Sequence, residues 1–193
     1  MKTKLIFFYS FCIVMLFSCK SCQKTAVCSF RTMKIYKSQI DQLNVCDSCD
    51  SLDSSNCFKR LIFQFTDSTT RNNIMQFYLT GWIGYDRKDH VDPQSLNLNS
   101  IQDDTIIVTP FSFANVDWTK GEIRKFLKDV ASDNKCKDAN YSYITLKVYV
   151  DDSQGKRYLS LYATAYDTNG NKIYSAALSE KSANPRPPYP PQG

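Results

Sequence analysis

The sequence predicts an α+β fold: an antiparallel β-sheet that ends in a three-stranded meander, packed by one main amphipathic helix at about 119–131. Three observations lead there. Apolar residues alternate over 141–150 and again over 157–166, the period of half-buried strands. Asn169-Gly170 follows as a strong short hairpin signal. Thr119-Lys120-Gly121-Glu122 has the pattern of a helix capping box and opens a stripe of apolar residues at helical spacing. The acids agree with a strand-rich chain: of the 19 only Glu122 and Glu180 are Glu. Asp, with Asn, Ser and Thr, favours turns and strand ends over helix interiors.

A chain of 193 residues is enough for one ordinary domain. With 42% hydrophobic and 22% charged residues it can build a core and is not broadly disordered. The net charge is +5. Removing residues 1–18 takes away Lys2 and Lys4 and no acid, which leaves +3, too little to argue for a nucleic-acid partner.

The elements are taken from the amino terminus. Residues 1–4 are short and basic, and residues 5–18 (LIFFYSFCIVMLFS) carry no charge. That run suits a signal peptide and falls short of the roughly 20 residues that span a bilayer. It ends in Leu16-Phe17-Ser18-Cys19, which resembles the lipobox of bacterial lipoproteins, with Phe17 where that class has a small or branched residue. The resemblance implies cleavage before Cys19, acylation of its thiol and attachment to a membrane through the lipid. LFSC followed by a polar tether looks like lipoproteins of the Bacteroidota. In that group acidic residues after the Cys resemble a surface-export signal. Lys20-Ser21-Cys22-Gln23 lacks them, so the resemblance implies the periplasmic side of the outer membrane. Lys20, Lys24, Arg31, Lys34 and Lys37 precede the first acid, Asp41; they either rest against anionic headgroups or form a solvated tether.

Residues 20–58 show no clear periodicity and read as a tether and a Cys-rich loop. The expected division is a signal peptide at 1–18, the anchor, tether and Cys-rich loop at 19–57, a single domain at 58–181, and a Pro-rich tail at 182–193. Of eight cysteines, Cys12 lies in the signal and Cys19 is the anchor. Cys22, Cys28, Cys46, Cys49, Cys57 and Cys136 remain, enough for as many as three disulfides in an oxidising compartment. At least one disulfide is expected among Cys46, Cys49, Cys57 and Cys136. Cys46-Asp47-Ser48-Cys49 is also a CxxC. A redox role would need positive potential and a helix start, yet Asp47, Asp50 and Asp53 crowd it. Zinc would need a second matching pair.

Strands are expected at 61–65, at 74–83 and at 105–113, with a long polar loop at 86–104 and an edge or bend at Pro110. In the helix, Ile123, Phe126, Leu127, Val130 and Ala131 form the apolar stripe. In the meander a turn at 152–155 would set Val148 opposite Leu159, Leu146 opposite Leu161 and Tyr149 opposite Tyr158. The hairpin at Asn169-Gly170 would fold 172–178 back, with Tyr174, Ala176 and Leu178 on the face of Leu161. The tail at 184–193 (NPRPPYPPQG) holds five of seven prolines and should be extended and unpacked.

The other face of the meander carries Tyr143, Tyr149, Tyr158, Tyr162 and Tyr166. Such a face can stack sugars or seat a protein partner, or it can be a second layer under the helix or other strands. Asp86, Asp89, His90 and Asp92 could hold a hard cation, or form a solvated loop. His90 is the only histidine, and no GxSxG, P-loop, GxGxxG or HExxH occurs, so no catalytic residue, cofactor or metal site is assigned. The expectation is a non-catalytic, lipid-anchored binding or assembly protein of the bacterial envelope, with a protein partner. An immunity or inhibitor lipoprotein and a carboxylate-dependent hydrolase are the alternatives.

Overall fold

The computed structural model describes residues 26–47, 58–71, 74–85, 94–109, 111, 115–132, 135–152 and 157–178. The lipobox with Cys19, the residues Cys22, Cys49 and Cys57, the cluster Asp86, Asp89, His90 and Asp92, and the proline tail lie outside them.

The described residues are mostly strand. Among them nine strands form one mixed sheet, in the order β6 (Val116–Thr119), β2 (Phe58–Arg71), β3 (Ile74–Tyr85), β1 (Val27–Tyr36), β7 (Tyr143–Asp151), β8 (Tyr158–Tyr166) and β9 (Lys172–Ala177), with β4 (Gln94–Leu96) added to β3 and β5 (Asn99–Val108) to β1. Its centre is β1 (Val27–Tyr36), inside the segment expected to be a tether. The domain therefore begins well before residue 58. The strand is hard to see in the sequence because a bulge between Arg31 and Met33 breaks its phase. Cys28 and Phe30 point into the core before the bulge, Met33 and Ile35 after it, so a period of two is never sustained.

β1 pairs antiparallel with β5 (Asn99–Val108) and β7 (Tyr143–Asp151), but parallel with β3 (Ile74–Tyr85), Phe30 lying opposite Phe77. The sheet is thus mixed, where an antiparallel one was expected. Parallel partners come from separated stretches of chain and leave no hairpin signal. The Phe30 and Phe77 rings stack at 5.1 Å, and Phe65 and Phe111 each meet Phe30 edge-on at 5.9 Å.

β2 (Phe58–Arg71) and β3 run longer than the expected strands at 61–65 and 74–83. The expected polar loop at 86–104 contains β4 (Gln94–Leu96) and the start of β5. A Cβ at Gly81 would lie 3.2 Å from the Leu96 side chain, so glycine lets β4 approach β3. β5 ends at Val108, short of Pro110. β6 (Val116–Thr119) pairs with β2 and was not foreseen; its four residues are too few to show a period.

After a five-residue helix α1 (Lys37–Asp41), the main helix is α2 (Lys120–Ala131). Thr119 caps it: the Glu122 amide donates to the Thr119 hydroxyl at 3.3 Å, and the Thr119 amide donates to the Glu122 carboxylate at 2.9 Å. Ile123, Phe126, Leu127 and Val130 are buried against the sheet. Phe126 meets Trp118 and Tyr174 edge-on, each at 5.3 Å. Burying four such side chains stabilises the helix by roughly 1.5–3 kcal/mol each. Among the described residues no helix is long and apolar enough to cross a membrane.

β7 pairs with β8 (Tyr158–Tyr166) and β8 with β9 (Lys172–Ala177), both antiparallel. The register differs from expectation by two residues: Val148 faces Leu161, Leu146 faces Ala163, and Tyr149 faces Ser160. The strands run on to Asp151 and Tyr158, so the connection is longer than a tight turn. An even shift leaves each side chain on its expected face. Ile144, Leu146, Leu159, Leu161, Ala163 and Ala165 are buried. At the second hairpin the Gly170 amide donates to the Asp167 carbonyl, and Gly170 takes a φ of 80°, which a side chain would oppose.

Candidate functional site: the tyrosine face of the sheet

Because residues alternate along a strand, burying Val148 and Leu161 on the face that carries Tyr174 and α2 turns Tyr149 and Tyr162 to the opposite face. Tyr162 is 43% exposed, and Tyr143, Tyr149, Tyr158 and Tyr166 are half-buried. The rings do not form a second core layer under the helix. Four of them pair. Tyr143 and Tyr166, opposite each other in the ladder, stack at 5.1 Å with planes 16° apart. Tyr149 and Tyr162 meet at 4.7 Å, tilted by 56°. Tyr158 lies across from Asp151 in the ladder. The Lys34 ammonium of β1 lies over the Tyr143 ring, 3.9 Å from its centre.

A groove of about 370 Å³ crosses this face. Tyr149, Tyr162 and Tyr166 supply aromatic surface to it, and Thr32, Thr145, Thr164 and Ser175 supply hydroxyls. The Thr164 and Ser175 hydroxyls are hydrogen-bonded at 2.8 Å across the β8–β9 ladder. Asp103 of β5 forms part of the wall; it accepts from the Lys147 ammonium at 3.1 Å and from the Thr32 hydroxyl at 3.4 Å. Strand alternation already places Thr145, Lys147 and Thr164 beside the tyrosines. Thr32 and Asp103 come from strands far away in sequence, and no local signal points to them.

The carboxylate in the groove's lining is Asp103, while glycosidase-type chemistry uses a pair. Neither Asp47 nor Asp167, whose carboxyls are held below their usual range by hydrogen bonds, lies in the groove's lining. Nor does any group of three or more His, Cys, Asp or Glu among the described residues suit a metal ion.

The cysteines have a structural arrangement. Cys46 and Cys136 form a disulfide with their Cα atoms 5.7 Å apart and 90 residues between them in sequence. Cys46 lies in the turns after α1 and is bonded to Cys136 rather than within its CxxC. Arg124 of α2 donates to the Val45 carbonyl at 2.6 Å and to the Asp47 carbonyl. The Lys137 ammonium pairs with Asp47 at 2.6 Å and, by this hydrogen bond and its charge, holds the Asp47 carboxyl below its ordinary range. Together these tie the segment after α1 to α2. Cys28 is a buried free thiol, its pKa raised by burial. The Cys46–Cys136 bond is the disulfide expected among Cys46, Cys49, Cys57 and Cys136.

A second concavity, about 330 Å³, lies beside the disulfide and is lined by Lys37, Asp41, Asp47, Lys137 and Tyr141 among others. Its charges are already paired, Lys37 with Asp41 and Lys137 with Asp47. Burial, and secondarily the Asp41 charge, push the Tyr141 phenol well above its ordinary range, so it stays neutral. No family model, curated protein or solved structure matches the chain.

Proposed function

We propose that the chain is a non-catalytic binding or assembly protein of a bacterial envelope. A lipid on Cys19 holds it at the periplasmic side of the outer membrane. We read the domain as α+β, with the β7–β8–β9 meander as a platform that presents its tyrosine face to an envelope partner. One observation carries this reading: the meander's tyrosines lie on the face away from α2, with four of the rings held in two pairs. Large aromatic groups held rigidly at a surface are what interfaces use for their strongest contacts. The lipobox-like LFSC and the following polar stretch support the address.

The test is fractionation and capture from native membranes. Wild-type chain should sediment with membranes and bring a partner down after mild solubilisation. Cys19→Ser should leave an unprocessed or soluble chain that no longer sediments. Unchanged membrane retention and processing of Cys19→Ser would refute the anchoring. Failure of the wild-type chain to capture any component would refute the binding role.

A further inference from the structure

Resting on that reading, we propose that the groove across the tyrosine face takes a short saccharide, free or borne on an envelope polymer. The lining decides the class of ligand. Sugar rings present C–H faces that pack on aromatic rings, and a rim of hydroxyls that both donate and accept. The groove offers three phenol rings, with Tyr162 the most exposed, beside the mutually bonded Thr164 and Ser175 hydroxyls; Thr32 and Thr145 are buried beneath, and Ile101 and Val148 add apolar surface. Its volume, about 370 Å³, lies in the range of small-ligand sites.

Other ligand classes fit less well. An apolar ligand would strip water from the phenol hydroxyls of Tyr149, Tyr162 and Tyr166 without replacing its hydrogen bonds. An extended peptide would look for an unpaired strand edge, but β8, which carries Tyr162, Thr164 and Tyr166, has a ladder on either side. A strongly anionic ligand would have to draw Lys147 away from Asp103. The lining has one more cation, Lys172, which suits a sugar carrying a single acidic substituent.

The test uses the full lipidated chain in phospholipid nanodiscs. The free-sugar probes are cellobiose, maltose, N,N′-diacetylchitobiose and digalacturonate, followed by saturation-transfer NMR and titration. The polymer-borne probes are cellulose, chitin and pectate beads, followed by co-sedimentation. Binding of at least one probe is expected. Tyr162→Ala should weaken it at least tenfold and Thr164→Val measurably, while Tyr174→Phe on the helix side leaves it unchanged. Binding in the disaccharide arm identifies a free-sugar site, and binding confined to beads a polymer-borne one; both support a saccharide ligand. No binding in either arm, or binding unaffected by Tyr162→Ala, overturns the inference. If partner capture from membranes still depends on Tyr162 in that case, the binding role stands and only the saccharide is wrong. If capture is also independent of Tyr162, both fall.

Discussion

Tyr149 and Tyr162 sit diagonally across the β7–β8 ladder, their ring centroids 4.7 Å apart, because Tyr149 is registered with Ser160. Had Tyr149 faced Tyr158, the aromatic surface would lie at the end of the strands beside Asp151. The two-residue shift moves it next to Thr164, within reach of Ser175 and of the Asp103–Lys147 ion pair. A run of tyrosines thereby becomes part of a groove lined by both polar and apolar side chains.

The Cys46–Cys136 disulfide closes a loop of 90 residues in sequence separation, which in the chain-entropy model stabilises the fold by about 4.5 kcal/mol. Cys46→Ser/Cys136→Ser should lower the unfolding free energy by roughly 2–5 kcal/mol in urea denaturation. Peptide mapping of the unreduced protein should recover Cys46 linked to Cys136. Recovery of Cys46 linked to Cys49, or a double variant as stable as wild type, would contradict the arrangement.

Thr119 closes the capping box of α2 through its hydroxyl and its amide. Thr119→Ala should cost about 1 kcal/mol. Glu122→Ala should cost less when added to Thr119→Ala than when made alone, since the two share one set of hydrogen bonds. Additive losses in a double-mutant cycle would show that the box is not a unit.

Asp167 orders the second hairpin. Its carboxylate accepts from the Asn171 side chain at 2.9 Å and from the Asn171 and Asn169 amides at 2.7 and 2.8 Å, and these bonds lower its pKa from 3.8. A lowered folded-state pKa means that the contribution is present above the unfolded value and disappears as pH falls through the folded one. Asp167→Ala should therefore be less stable than wild type at neutral pH, and the difference should close well below pH 3.8. A difference that widens on acidification would have the wrong sign.

The parts of the fold legible in the sequence are those set by local pattern. The α2 helix shows in its capping box and in the spacing of Ile123, Phe126, Leu127 and Val130. The faces of β7 and β8 show in the alternation of Ile144, Leu146 and Val148 with tyrosines and threonines. β1 does not show, because its bulge interrupts the alternation and its pairing with β3 is parallel and distant. The groove was half legible. Its tyrosines follow from strand period, but Asp103 and Thr32 reach it only through pairing of β1 with β5 and β7. Register was the weakest inference: a two-residue slip preserves every face, so burial pattern alone cannot distinguish the alternatives.

The central claim is that the tyrosine face recognises a partner and does not hold the core together. The most direct measurement is the apparent Kd for the captured envelope partner, wild type against Tyr162→Ser, with the thermal melt of each recorded alongside. Tyr162 is 43% exposed, so the melting temperature should fall by less than about 5 °C, or about 1 kcal/mol. Binding should weaken at least tenfold, about 1.4 kcal/mol. Unchanged affinity, or a loss of several kcal/mol of stability of the kind seen when buried aromatic side chains are truncated, would contradict the claim.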